Sequence, residues 1–260
     1  MKVLFIGDIV GRTGRTAVRA LLPKIIERYK LDFIIANGEN ASGGFGITED
    51  AARELFACGI HLLTSGNHIW DKKEIVPYIT KEDRLIRPLN YPPGVPGSGS
   101  TACPLPNGRS IAVLNLMGRV FMTPIDCPFR AADTEVRKLK EKTPNIIVDF
   151  HAEATSEKVA LGHYLDGRVS AVIGTHTHIQ TADERVLPGG TAYITDAGMT
   201  GPKESVIGVK KEQIIEKFLY QTPRRFEIPG GEAILSALII EIDEKTGLAG
   251  SISRLQLTYP

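Results

Sequence analysis

Five short apolar runs in this chain each end in a cluster of Asp, Glu, Asn or His residues. The runs are VLFIGD, FIIANGEN, LLTSGNH, IIVDFHAE and AVIGTHTH. In an α/β protein with a parallel sheet, ligands bind beyond the carboxyl ends of the strands, so polar residues that follow successive strands converge on one site. The residues at these positions are Asp8, Glu39, Asn40, Asn67, His68, His151, His176 and His178.

The chemistry of these side chains is that of a metal-centred hydrolase. Oxygen and imidazole donors without cysteine suit manganese, iron or zinc. Eight such residues are more than one ion needs, so we expect two ions. Glu39 is suited to lie between the ions, because a carboxylate can bridge two cations with its two oxygens and offset their repulsion.

The spacing of the histidines suggests separate roles. In extended backbone, residues two apart point to the same side, so His176 and His178 of GTHTH are predicted to reach one cluster. Adjacent residues of an extended chain point to opposite sides, so we expect Asn67 and His68 of SGNH to have different roles. We interpret Asn67 as an oxygen-donor ligand and His68 as the general acid that protonates the leaving oxygen.

Several of these residues also have an ordinary structural explanation, although Glu39 is less easily explained in this way. Asp8 could cap the helix that follows it, Asn67 could cap a turn, and His151 could be a core histidine bonded to a backbone carbonyl. The recurrence of the pattern favours the metal site over these alternatives. Asp149 and Glu153 flank His151 as candidate partners that would orient a ligand.

Length, charge and cysteine usage bound the class of protein. With 260 residues, 42% of them apolar, we expect one domain spanning residues 1–260. A formal charge of +1 without a basic block argues against an extended nucleic-acid surface but allows a small anionic substrate. The first apolar run is too short for a signal peptide or membrane span. Three widely spaced cysteines without CxxC spacing fit reduced thiols in a cytoplasmic protein.

The first quarter of the chain shows the βαβ rhythm of a parallel sheet. Strands are predicted at 2–7, 32–37 and 60–65, and helices at 13–30 and 48–58. Thr48 followed by two acidic residues is a typical helix start, and Gly59 is a typical stop.

The middle and end of the chain are more varied. The Pro- and Gly-rich segment 87–108 is predicted to be a long loop that forms a rim or lid. Strands are then expected at 110–116, 145–150, 169–173 and 191–195, with helices at 131–142 and 155–162. The last residues predict an antiparallel hairpin around a KTG turn, covering part of the sheet.

Taken in order, GD, GEN, GNH, a single His and GTHTH resemble the calcineurin-like metallophosphoesterase pattern. The resemblance implies a dinuclear site inside a four-layer α/β/β/α sandwich. Two departures are specific: Val10 stands where the first motif usually has a histidine, and Glu39 with Asn40 replaces the usual Asp segment. GDIVGR, GENASGGFGI, SGNHIWD and TDAGMTGP are similar to the bacterial YmdB-type metallophosphoesterases over nearly the whole chain.

This resemblance implies a set of ligands and an activity. One ion would be held by Asp8, Glu39, Asn40 and His178, and the second by Glu39, Asn67, His151 and His176. His68 would be the proton donor, and Asn40 would stand in for the missing histidine. The family implies a di-iron or di-manganese centre and hydrolysis of 2′,3′-cyclic nucleotides.

We therefore expect a cytoplasmic, metal-dependent phosphoric diester hydrolase in which a metal-bound hydroxide attacks phosphorus in line. Its cofactors would be two divalent or mixed-valence transition-metal ions, iron first, with manganese or zinc as alternatives. Its partner would be a small phosphate ester, with no membrane contact, and a homo-oligomer is allowed. Phe121, within 118–129, is predicted to stack on the base at the rim.

Two alternatives stay open at this point. The same centre with a different pocket would serve a phosphomonoesterase or nucleotidase, because the metal ligands alone do not set the substrate. A regulatory metal- or RNA-binding module could also keep such a site without turnover.

Overall fold

The computed structural model describes residues 1–260, apart from the side chain of residue 107. The helices are α1 Gly11–Tyr29, α2 Glu49–Ala57, α3 Ile75–Ile79, α4 Pro128–Lys140, α5 Thr155–Tyr164 and α6 Lys211–Tyr220, with a 3-10 turn at Pro106–Gly108. The strands are β1 Lys2–Ile6, β2 Asp8–Ile9, β3 Phe33–Asn37, β4 Leu62–Thr64, β5 Ser100–Pro104, β6 Ser110–Met117, β7 Ile146–His151, β8 Ala171–Thr175, β9 Arg185–Val186, β10 Ala192–Ile194, β11 Met199–Pro202, β12 Ala233–Ile242 and β13 Ala249–Tyr259.

These strands form two sheets. The first sheet has the order β2-β11-β12-β1-β3-β4. In this sheet β1 and β11 pair with one edge of β12, and β13 pairs with its opposite edge. The second sheet has the order β5-β6-β7-β8-β10-β9. The pairs β1-β3, β3-β4, β6-β7, β7-β8 and β8-β10 are parallel, as the βαβ rhythm predicts. Polar residues that follow these strands are therefore delivered to one end of the sheets.

Alternation along the strands separates the apolar residues into three cores. In β1, Leu4 and Ile6 pack with helices α1 and α2, whereas Val3 and Phe5 face the second sheet. The second sheet packs its other face, which includes Phe150, against α4 and α5. Helices, two sheets and helices thus form four layers, which confirms the predicted α/β/β/α sandwich.

The helix-boundary signals near the site behave as their chemistry predicts. The hydroxyl of Thr48 accepts a hydrogen bond from the backbone N–H of Ala51 at 3.3 Å, so Thr48 caps the start of α2. Gly59 follows the end of that helix with a φ of +103°, a conformation that glycine adopts without steric cost. Thr48 thereby fixes the end of loop 38–48 at the start of α2.

Two predictions about the rest of the chain are wrong in part. Segment 87–108 is not all loop, because it contains β5, an edge strand that pairs antiparallel with β6. The terminal hairpin of β12 and β13 does form, but β12 lies inside the first sheet, between β13 and both β1 and β11, rather than over it. Local pattern could not reveal the pairing of β12 with β1, since these two strands are distant in sequence. Among the described residues, we find no helix that combines the length and the apolar character needed to cross a membrane.

Candidate metal centre and active site

Strand ends from both sheets open into one place. His151 is the last residue of β7, His176 directly follows β8, and Asp8 lies in β2. Glu39 and Asn40 follow β3, and Asn67 and His68 follow β4. The structure therefore brings all eight predicted residues to the same region, as shown by the contacts between them.

Nε2 of His151 is the centre of one group of donors. It lies 3.0 Å from Oε1 of Glu39, 3.0 Å from Oδ1 of Asn67 and 3.0 Å from Nδ1 of His176. A single ring nitrogen cannot satisfy three such neighbours with one hydrogen. Four atoms that carry lone pairs thus crowd around one point, and ligand atoms of Glu39, His151 and His176 lie within 4.8 Å of one another. This arrangement suits a cation.

A second group lies beside the first. Among the described side chains, Oδ1 of Asp8 and Oδ1 of Asn40 are buried and have no hydrogen-bond partner. Nε2 of His178 lies 3.8 Å from Oδ1 of Asp8 and 3.2 Å from Nδ2 of Asn40. Orphaned buried oxygens are rare because they cost free energy, and a cation between these side chains would satisfy them.

Glu39 connects the two groups. Its Oε1 faces His151 and also lies 3.2 Å from Nδ2 of Asn40, while its Oε2 accepts a hydrogen bond from the backbone N–H of His68 at 3.0 Å. A half-turn of the Asn40 amide would present its oxygen, rather than its nitrogen, to Glu39 and His178. The oxygen and nitrogen donors of both groups therefore suit transition-metal ions, and the carboxylate of Glu39 lies between the groups.

Without a metal, the charge of each residue in the cluster depends on its burial and on the charged groups next to it. Burial would raise the pKa of Glu39, but the adjacent His151 outweighs it and lowers the pKa to about 2. Burial would lower the pKa of His151, but Glu39 and Asp8 outweigh it and raise the pKa to about 9. Burial and the charge on His151 lower the pKa of His176 to about 3. Without a cation, the cluster is thus a carboxylate beside an imidazolium, with His176 neutral.

Outer partners fix which nitrogen of each imidazole points inward. Nδ1 of His151 lies 3.0 Å from the hydroxyl of Thr175, which itself donates to Asp149 at 2.7 Å. Nδ1 therefore donates, which leaves the Nε2 lone pair of a neutral ring toward the cluster. Nε2 of His176 lies 3.1 Å from Glu153, so its Nδ1 faces inward. Asp149 and Glu153 were predicted as orienting residues, and Thr175 was missed because a threonine at a strand end is an ordinary residue.

The backbone of GTHTH differs from the prediction. His176 and His178 are not extended, because both have left-handed φ values, 97° and 65°. Their side chains consequently reach different donor groups rather than one. Such a conformation is costly for a residue with a side chain and persists where its surroundings enforce it. Gly174 serves a close approach rather than a sharp bend, since a Cβ there would lie 1.8 Å from the carbonyl oxygen of Thr195.

Gly66 of SGNH has a similar steric role. A Cβ at this position would lie 2.3 Å from Nε2 of His151 and 2.5 Å from Oε2 of Glu39. The donors can therefore approach one another only because residue 66 lacks a side chain.

His68 points away from the donor cluster that holds its neighbour Asn67. Its Nδ1 lies 2.8 Å from Oδ2 of Asp71, and its ring lies edge to face with Phe45, with centroids 5.2 Å apart. Asn67 and His68 thus point in different directions, as the sequence predicts. His68 lines the pocket that opens over the cluster.

This pocket has a volume of about 300 Å³ and one apolar wall. The wall is formed by Val10, Phe45, Ile207, Val209, Ile214, Phe226 and Ile228.

The predicted rim is wrong. Of the described residues, none from 87–108 or 118–129 lines this pocket, and Phe121 is 89% exposed. The sequence offered no sign of the true rim, because segment 203–232 is an excursion between β11 and β12 whose apolar residues show no regular spacing.

Comparison with known proteins agrees with this geometry. Residues 4–255 match the family model described as YmdB-like protein. The chain is 51% identical over 255 residues to the 2′,3′-cyclic-nucleotide 2′-phosphodiesterase of Bacillus subtilis, covering 98% of this chain and 96% of that protein.

Two crystal structures are also similar. A hypothetical protein from Thermus thermophilus is 45% identical with a TM-score of 0.94, and each chain is fully covered. A novel phosphatase from Mycoplasma pneumoniae is 34% identical with a TM-score of 0.93, covering 99% of this chain and 93% of that chain. The chain thus belongs to the YmdB-like family, which confirms the resemblance drawn from GDIVGR, GENASGGFGI, SGNHIWD and TDAGMTGP.

Proposed function

We propose that this protein is a dinuclear, metal-dependent phosphodiesterase that hydrolyses 2′,3′-cyclic nucleotides. The observation that carries the proposal is the convergence of Glu39, Asn67 and His176 on Nε2 of His151, beside the orphaned oxygens of Asp8 and Asn40. The activity named for the relative from Bacillus subtilis supports the substrate class.

The ligand sets follow the two groups of donors. Asp8, Glu39, Asn40 and His178 would hold one ion, and Glu39, Asn67, His151 and His176 the other. Two such ions would supply a nucleophilic water near neutral pH and neutralise phosphoryl oxygens. We propose iron as the first choice of metal, with manganese or zinc as alternatives.

The side chains outside these sets would orient the substrate and move protons. As water adds to phosphorus, the bond from phosphorus to the ribose 2′ oxygen breaks, and His68 would give that oxygen its proton from Nε2. Asp71, 2.8 Å from Nδ1 of His68, would hold the orientation of the ring. The product would be a nucleoside 3′-phosphate.

The apolar wall of the pocket would receive the nucleoside. Phe45 and Phe226 line the pocket together with residues of the donor cluster, and stacking on an aromatic ring tolerates every base. Several 2′,3′-cyclic nucleotides should therefore be substrates. Because both sheets supply donors, we propose that residues 1–260 act as one catalytic domain. The free cysteines suit a reducing compartment such as the cytoplasm.

A substrate comparison tests the proposal. Protein purified with its metal should show a higher kcat/KM for 2′,3′-cyclic AMP than for 3′,5′-cyclic AMP or AMP, and chelation should abolish turnover. Preference for AMP would instead identify a phosphomonoesterase. A fully loaded protein that turns over none of these esters would indicate a regulatory module.

A further inference from the structure

A buried ion pair lies directly behind the histidine loop. Nζ of Lys158, in α5, lies 2.7 Å from Oδ2 of Asp196, in the turn after β10, and the two side chains are 1% and 0% exposed. Burying two charges costs desolvation free energy, so such a pair is weak evidence for stability. The pair therefore calls for a role other than holding the fold together.

The carboxylate of Asp196 holds the residue between the two histidines. Its Oδ2 accepts hydrogen bonds from the backbone N–H of Thr177 at 3.0 Å and from the Thr177 hydroxyl at 2.6 Å. His176 and His178, on either side of Thr177, have the left-handed φ values described above. Two such residues persist only when neighbouring contacts enforce their conformation, and Asp196 supplies contacts of this kind.

The same carboxylate also reaches the strand that carries Asp8. Its Oδ1 accepts a hydrogen bond from the backbone N–H of Gly198 at 2.8 Å. The carbonyl of Gly198 accepts from the backbone N–H of Asp8 at 3.0 Å, and the N–H of Met199 donates to the carbonyl of His178 at 3.1 Å. One buried carboxylate thus connects Asp8 with the loop that carries both histidines.

We propose that Lys158 and Asp196 form a positioning element that sets the spacing of Asp8, His176 and His178 for metal binding. Lys158 holds the carboxylate in place through the ion pair, and the carboxylate in turn accepts the hydrogen bonds that fix the loop. This inference rests on the proposed function, because it assigns a purpose to the pair only if the three residues bind metal.

Thr177 allows a test that leaves the buried pair in place. Thr177→Val keeps the side-chain volume but removes the hydroxyl that donates to Asp196, whereas Thr177→Ser restores the hydroxyl. We expect Thr177→Val to weaken Mn²⁺ binding roughly tenfold, measured by titration with electron paramagnetic resonance, and Thr177→Ser to recover most of the loss. Val172→Ala is the matched control, since it removes buried methyl groups from β8 and should lower the Tm without changing the Mn²⁺ affinity.

The double variant Lys158→Met with Asp196→Asn tests the pair itself. It removes both charges together, so the fold keeps no unpaired buried ion, yet an amide replaces the carboxylate that accepts from Thr177. We expect the Mn²⁺ affinity to fall by at least as much as in Thr177→Val. Mn²⁺ binding equal to wild type in both Thr177→Val and the double variant would overturn the inference. Failure of the wild-type protein to bind any of Fe²⁺, Mn²⁺ and Zn²⁺ would instead overturn the proposed function.

Discussion

Nδ1 of His68 lies 2.8 Å from Oδ2 of Asp71, and the backbone N–H of the same histidine donates to Oε2 of Glu39 at 3.0 Å. The first contact assigns the Nδ1 hydrogen to Asp71, so Nε2 is the ring nitrogen left to exchange a proton with the substrate. The second places that ring next to the carboxylate proposed to bridge the ions. His68 is thus held by the donor cluster without being one of its convergent donors.

Replacing His68 by Ala should lower kcat by roughly 10² to 10⁴-fold, because the leaving oxygen would lose its proton donor. Metal content should stay near the wild-type value, since the side chain lies outside both donor groups. Steady-state kinetics and elemental analysis on the same sample check both points. His163→Ala, which changes an exposed histidine of α5, is the control. Loss of metal in His68→Ala would show that His68 is a ligand.

Phe45→Ala should raise KM for 2′,3′-cyclic nucleotides more than it lowers kcat. Stacking of a base on an aromatic ring contributes roughly 1 to 3 kcal/mol, so kcat/KM should fall by about 5- to 150-fold. Phe121→Ala should leave the kinetics unchanged, because Phe121 lies outside the pocket. Equal changes in kcat/KM for Phe45→Ala and Phe121→Ala, measured with 2′,3′-cyclic AMP and 2′,3′-cyclic GMP, would contradict the proposed base-binding wall.

Gly66→Ala should greatly weaken metal binding, whereas the matched control Gly230→Ala should leave it unchanged. The added methyl group would lie 2.2 Å from Cδ2 of His151, so the imidazole must move out of the cluster. Gly230→Ala adds the same group where nothing lies within 4 Å of the new Cβ. Isothermal titration with Mn²⁺ compares the two. Tight binding in Gly66→Ala would mean that the donors do not converge as the structure shows.

Metal binding should strengthen as the pH rises from 6 to 8. Glu39 and Asp8 outweigh burial and raise the pKa of His151 to about 9, so its ring holds a proton that a cation must displace. Release of this proton strengthens binding of the ion held by His151 by up to about tenfold per pH unit below that pKa. Titrations in weak buffer should detect the released proton, and His68→Ala should keep the same slope. Affinity that is flat over this range would contradict protonation of His151.

The sequence predicted which residues lie together better than it predicted their surroundings. Asp8, Glu39 and His151 were found because each ends a buried apolar run, and a parallel sheet brings such ends together. The wall formed by Phe45 and Phe226 was missed, because residues from distant parts of the chain meet there without a shared local pattern. Helix α6 was also missed, since all its side chains are at least partly exposed and it shows no buried stripe.

The place of β12 in the first sheet has a consequence for biosynthesis. Every proposed ligand has been translated once residue 178 is made, yet Gly7, next to Asp8, donates its backbone hydrogen bond to Ser236, and β1 pairs along β12. The nascent polypeptide therefore contains all the proposed ligands well before β12, which fixes the backbone next to Asp8, has left the ribosome. At about 5 to 20 residues per second, some seconds separate these two events. Metal loading should accordingly follow synthesis of residues 233–242 rather than accompany the appearance of the histidines.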